Sequence, residues 1–108
     1  MLLELIRKKI GASLQVLTPE LARGLGLGGA QGLLIAGVDR GGPSATAELE
    51  RGMVVTSIDG QNMTDLISAA KMLYTKAKGE KAQFEVIAPR QRGPFIELRQ
   101  GTAEIVVR

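Results

Sequence analysis

Apolar residues in this chain come in short runs fenced by glycine or proline, and that punctuation limits how long its elements can be. Gly32-Leu33-Leu34-Ile35-Ala36-Gly37-Val38 lies between glycines, and Met53-Val54-Val55-Thr56-Ser57-Ile58 ends in the turn pair Asp59-Gly60. Both read as buried strands. Ser13-Leu14-Gln15-Val16-Leu17 alternates polar with apolar residues, as a half-buried strand does. Phe84-Glu85-Val86-Ile87, Phe95-Ile96-Glu97-Leu98 and Glu104-Ile105-Val106-Val107 read as three further strands, joined by turns over Pro89 to Pro94 and at Gln100-Gly101-Thr102.

Helical signals are fewer. Thr18-Pro19-Glu20 offers a capping hydroxyl, a proline for the first helical position and an early acid, and Gly24 stops the short helix that follows. The loop Asp39-Arg40-Gly41-Gly42-Pro43-Ser44 leads into a single helical turn from Ala45 to Leu49. Asn62 to Lys76 places Leu66, Ile67, Ala70, Leu73, Tyr74 and Ala77 at helical spacing, with Thr64 or Asp65 as cap and Gly79 as stop. Strands and helices do not alternate as βαβ units. The expected fold is therefore α+β, mostly β: a partly open β-sandwich or barrel of five or six short strands capped by two main helices. Residues 1–8 read as a linker or short N-terminal helix, and 9–108 as one domain.

Composition removes several chemistries. There is no cysteine and no histidine, hence no disulfide, no zinc-thiolate site, no thiol nucleophile and no imidazole base. A serine nucleophile would have only lysine, carboxylate or amine partners, so hydrolysis by this chain is not expected. The net charge of +3 arises from 14 basic and 11 acidic residues spread along the chain, with no like-charged tail. Met1 to Lys9 is the one candidate targeting segment, but Glu4 interrupts an apolar run already too short for a signal peptide or a membrane span. The domain reads as a piece of a longer protein, which would carry any address.

Three motifs reduce to plainer explanations. Gly24-Leu25-Gly26-Leu27-Gly28-Gly29 matches the dinucleotide glycine pattern, yet here a helix precedes the glycines and a strand follows, the reverse of what a pyrophosphate site needs. Arg90, Arg92 and Arg99 with Lys8 and Lys9 could form a basic patch, but three aromatic residues in all give no base-stacking platform, and nucleic-acid binding is not expected. Glu48, Glu50, Asp59 and Asp65 fall in a surface helix, a turn and a cap without a calcium-loop pattern. No metal and no cofactor is expected.

What remains is Ile10-Gly11-Ala12, a glycine loop opening the first strand. A turn whose N–H groups point one way holds a carboxylate, and an exposed strand edge beside it accepts a peptide. Leu66, Ala70 and Leu73 share a helix face that serves equally as core or as groove wall, and the glycine loop favours the groove.

Taken together these segments resemble a PDZ domain of the circularly permuted bacterial type that follows the protease domain in HtrA/Deg serine proteases. The resemblance runs from Arg7 to Val107. It rests on Ile10-Gly11-Ala12, Leu17-Thr18-Pro19-Glu20-Leu21-Ala22, Gly32-Leu33-Leu34-Ile35, Gly42-Pro43-Ser44 leading to Ala47 and Leu49, and Gly52-Met53-Val54-Val55 leading to Ile58-Asp59-Gly60. Two positions depart from the pattern. Glu48 stands where glycine is usual, which implies strain if its φ is positive, and Met53 replaces an aspartate that would make a turn hydrogen bond.

The resemblance implies that the N–H groups of Ile10, Gly11 and Ala12 receive a ligand carboxylate. The ligand strand would pair antiparallel with Ala12, Ser13, Leu14, Gln15 and Val16, facing Leu66, Ala70 and Leu73. Ile10, Ala12, Leu14 and Leu73 would line the pocket for the last ligand side chain. An apolar Leu66 would favour an apolar residue two positions earlier. It further implies a non-catalytic module that presents C-terminal or extended peptides to a covalently linked serine protease domain, in a periplasmic or envelope-associated parent able to form homo-oligomers. The alternatives are the PDZ domain of a membrane-embedded metalloprotease or secretion factor, and a chiefly structural self-association module.

Overall fold

A helix, α1 (Leu2–Ile10), opens the computed structural model, which describes residues 2–108. It is followed by β1 (Ala12–Val16), α2 (Pro19–Gly24), β2 (Leu33–Val38), α3 (Pro43–Thr46), β3 (Val54–Ile58), β4 (Gln61–Asn62), α4 (Leu66–Tyr74), β5 (Lys81–Arg92) and β6 (Phe95–Val106). All strand pairs are antiparallel, in the order β1-β2-β3-β5-β6, with β4 paired to β3. The result is the expected α+β architecture, an open six-stranded sheet with two longer helices, α1 and α4, and two short ones among the described residues.

Local chemistry starts α2 and α4 where the sequence places them, whereas α3 begins at Pro43, inside the expected loop, and ends at Thr46 instead of spanning Ala45 to Leu49. The Thr18 hydroxyl accepts the Leu21 N–H at 3.2 Å, with Pro19 in the first turn. Asp65, not Thr64, caps α4: its Oδ1 accepts the Ser68 N–H at 2.7 Å. That bond holds the Asp65 carboxyl below its ordinary pKa.

Neighbouring residues on the central strands face opposite sides, and both sides are covered. Leu33 and Val55 join the main core with Leu14, Ile58, Leu73, Phe84 and Ile105, whereas Val54 joins a satellite cluster with Leu17, Ala22 and Leu27, against which Leu34 packs. Burial on two faces explains why β2 is a continuous apolar run and why β3 opens on two adjacent buried valines, Val54 and Val55. In β5 one face dominates: Ala82, Phe84 and Val86 are buried and the residues between them are not.

The C-terminal third departs from the sequence expectation. Three strands and two turns are replaced by one hairpin of two 12-residue strands joined at Gly93-Pro94. Pro89 and Gly101 lie inside strands. β5 pairs with β3 only as far as Ile87, opposite Val54, so Pro89 sits where β5 has lost that neighbour. Its missing N–H points to that vacated side, because the tight turn makes Arg92 and Phe95 a hydrogen-bonded pair and the ladder alternates from there. Gly101 pairs with Val86 in the ladder without a positive φ. Glu48 adopts φ +66, so the strain implied by a non-glycine residue there is present.

Candidate functional site

β1 is one end of the sheet. It pairs with β2 from Ala12↔Val38 to Val16↔Leu33, with an irregularity between Ser13 and Leu14, and among the described residues no strand pairs with its other edge. Ala12 and Leu14 turn into the core, while Gln15 and Val16 are exposed. α4 packs beside this strand. Ala70 and Leu73 are buried with Leu14 in the main core and Leu66 packs against it half-buried, so the expected groove residues share one helix face next to β1.

The Ile10-Gly11-Ala12 segment is the joint between α1 and β1, and it is closed. Ile10 is the last residue of α1, and all three residues are buried. Gly11 has φ +69, which reverses the chain, and a Cβ there would stand 3.0 Å from Pro43 Cδ and 3.2 Å from Gly42 Cα. Its N–H donates to the Arg7 carbonyl at 2.8 Å, and its carbonyl accepts the Asp39 N–H at 2.8 Å.

A helix end leaves carbonyls without intrahelical donors. Here each one is supplied. The Arg108 Nε donates to Lys8 O at 2.9 Å, the Arg108 N–H to Lys9 O at 3.0 Å, and the buried Ser44 hydroxyl to Ile10 O at 2.6 Å. Arg7 pairs with Asp39 at 3.0 Å. Hydrogen bonding from Arg7 holds the Asp39 carboxyl below its ordinary pKa, against an opposing effect of desolvation.

α1 lies against α4. Ile6 and Ile10 are fully buried in the same core as Ala70 and Leu73. Leu2 and Leu5 form the near wall of an apolar groove whose far wall is Ile67, Ala70 and Tyr74. Lys9 Nζ donates to the Lys76 carbonyl just past α4, at 2.7 Å, so the C-terminal ends of the two helices lie together. Sequence reasoning missed α1, Ser44 and Arg108 as parts of this site. The available signal was Leu2, Ile6 and Ile10 at four-residue spacing, an apolar face within a segment that otherwise looks charged.

The other candidates have local structural roles. The Asp59 carboxylate accepts the Gln83 N–H at 2.8 Å and pairs with Lys76 at 2.5 Å, interactions that lower its pKa. Among the described residues no acidic cluster has the form of a metal site. Arg92 and Arg99 flank Glu97 on the hairpin, at 3.2 and 2.8 Å. Gly24 to Gly29 follow α2 and precede β2, the wrong order for a dinucleotide turn. No helix among the described residues is long and apolar enough to cross a membrane.

The PDZ domain family matches residues 8–92 of this chain. A probable periplasmic serine endoprotease, DegP-like, of Brucella suis biovar 1 (strain 1330) is 34% identical over 77 residues, which is 71% of this chain and 15% of that protein. The namesake from Halomonas elongata is 31% identical over 78 residues, 72% of this chain and 16% of that protein. The chain thus corresponds to a small part of the length of these relatives. Among solved structures, the HtrA-type protease AlgW with decapeptide superimposes with TM-score 0.70 at 33% identity, over 94% of this chain and 30% of that one. The HtrA3 PDZ domain bound to a phage-derived ligand has TM-score 0.71 at 19% identity, over 94% and 86% of the two chains, which shows the shared fold. In the DegP-like and AlgW relatives the protease domain lies elsewhere in the chain, and the PDZ domain itself is non-catalytic. With its free β1 edge beside α4 and this match along most of its length, the chain belongs to the PDZ domain family, of the kind found in HtrA-type and DegP-like serine proteases.

Proposed function

We propose that this domain binds extended peptides by adding them as an antiparallel strand to β1, as the regulatory, substrate-recognising module of a periplasmic HtrA-like serine protease. The observation that carries the reading is the unpaired β1 edge beside an apolar helix face. Backbone pairing along Ser13, Leu14, Gln15 and Val16 supplies affinity. The N–H groups of Ile10, Gly11 and Ala12 receive the terminal carboxylate, and Ile10, Ala12, Leu14 and Leu73 surround an apolar last side chain. Leu66 favours a second apolar residue two positions earlier. The decapeptide in the AlgW structure and the DegP-like relatives support this reading.

The closed joint adds a requirement. The Gly11 N–H already serves Arg7 O, and a helix C-terminus repels a carboxylate. Binding therefore accompanies the unwinding of the last turn of α1 and its withdrawal from α4, which frees Gly11 and opens the space that Ile6 fills. α1 and the ligand compete for one site.

The test is titration of the isotope-labelled domain with short peptides ending in Val, Leu or Phe, as free acids and as amides. Free acids should shift the amides of Arg7 to Val16 and Leu66 to Leu73, and amidation should abolish most of the effect. Equal responses to both forms would sink the carboxylate role, and no response would sink the peptide reading.

A further inference from the structure

β6 is the opposite end of the sheet, and only part of its outer edge is covered. The segment containing Gly42, Pro43, Thr46 and Ala47 lies against Glu104 and Val106. From Phe95 to Thr102, β6 pairs with β5 and, among the described residues, with no other strand. In a two-residue hairpin the residues flanking the turn exchange hydrogen bonds, and the ladder alternates from there. Phe95, Glu97, Arg99 and Gly101 therefore direct their backbone groups to β5. Ile96, Leu98, Gln100 and Thr102 direct theirs outward, a row of unpaired donors and acceptors of the kind that templates another strand. Phe95 is 74% exposed, with Ile96 and Leu98 exposed beside it.

We propose that this edge pairs with the same edge of a second copy, antiparallel about a two-fold axis at Leu98. Charge selects the register. An axis at Glu97 or Arg99 places like charges directly opposite each other, which is unfavourable. An axis at Ile96 or Gln100 leaves both charges without an opposite partner. The axis at Leu98 sets Glu97 across from the partner's Arg99, twice by symmetry, at non-hydrogen-bonded positions where cross-strand side chains come closest. On the other face Leu98 meets the partner's Leu98, and Ile96, whose side chain lies beside Gly26, stands opposite the partner's Gln100 and diagonal to the partner's Leu98. Phe95 stands opposite the partner's Gly101, above which a Cβ would meet nothing within 4 Å. The contact is isologous and closed, joining two sheets into one and ending the edge instead of propagating it.

The test measures molar mass by analytical ultracentrifugation over a wide concentration range. The wild-type domain should move from monomer toward dimer. Glu97→Arg and Arg99→Glu should each weaken association by about tenfold, and the double exchange should restore it to within about threefold of wild type, from the size of cross-strand charge terms. Gln100→Pro removes an outward N–H without touching the β5 ladder and should also abolish the dimer. Circular dichroism of each variant separates lost association from lost folding. A wild-type domain that stays monomeric overturns the proposal. So does a dimer indifferent to both charge reversals, or one dissolved by groove-binding peptide, since that association would use the β1 side.

Discussion

The two ends of one sheet are finished in opposite ways. At β1 the free edge is flanked by two helices, and every carbonyl of the last turn of α1 has a donor, from Gly11, Arg108 or Ser44. At β6 the distal edge is left to side chains, with Glu97, Arg92 and Arg99 in one exposed ion cluster and apolar residues between them. An unpaired edge has to be covered or charged. Covering by a helix that can be displaced creates a regulated binding site, whereas charging leaves an edge whose partner is chosen by charge order. This contrast is what supports the two proposals, a peptide site at β1 and a self-contact at β6.

The strongest way to break this contrast is at the two glycines. Gly11→Val forces a branched side chain into φ +69 and against Pro43. It should destabilise the domain by about 3 kcal/mol, combining backbone strain with overpacking. Gly101→Ala on β6 meets open space and a permissive backbone. It should change stability by no more than about 1 kcal/mol, in either direction. Urea unfolding of both variants checks this, and comparable losses would show that the α1–β1 joint is no tighter than the free edge.

Ser44→Ala is the next largest effect. The hydroxyl is buried and bonded to the Ile10 carbonyl, so its removal leaves that carbonyl without a donor, at about 1 to 3 kcal/mol. Because the loss falls on the closed state of α1, peptide affinity should rise even as stability falls. A variant that is less stable but binds free-acid peptide no better than wild type would show that α1 does not compete for the groove.

How much of this was legible can be traced residue by residue. Leu66, Ala70 and Leu73 were readable as one face because helical spacing is local, as were the caps at Thr18 and Asp65. β2 and β3 were readable because glycine and Asp59-Gly60 bound them. The hairpin was misread because Pro89 and Gly101 carry turn signals, and only the point where β3 stops pairing makes them admissible in strands. The closure of α1 was hidden for a different reason. Its donors come from Ser44, 34 residues away from Ile10, and from Arg108, 100 residues away from Lys8, and no short-range pattern announces either. The Ile10-Gly11-Ala12 loop shows the same limit: its sequence marks a turn, but whether the N–H groups are free depends on what α1 does.

The smallest expected effect tests whether α1 is held electrostatically as well as by packing. Arg7 hydrogen-bonds Asp39 and lowers its pKa, with Arg108 adding to the attraction, while Glu4 and Lys8 line the same cleft. A carboxyl whose pKa is lower folded than unfolded stabilises the folded state fully above its ordinary value of about 3.9, and that contribution disappears as pH falls through the lowered value. The pair is solvent-exposed, so its effect on overall stability is small. Its effect on α1 should still be visible. Below about pH 4, set by the ordinary carboxylate range, amide signals from Arg7 to Gly11 should shift before the rest of the domain responds. In Asp39→Asn those signals should start nearer the acid position at pH 6 and change little on acidification. Identical acid profiles for the two proteins would mean that the Arg7–Asp39 pair takes no part in keeping the α1–β1 joint closed, and that only a ligand, not pH, opens it.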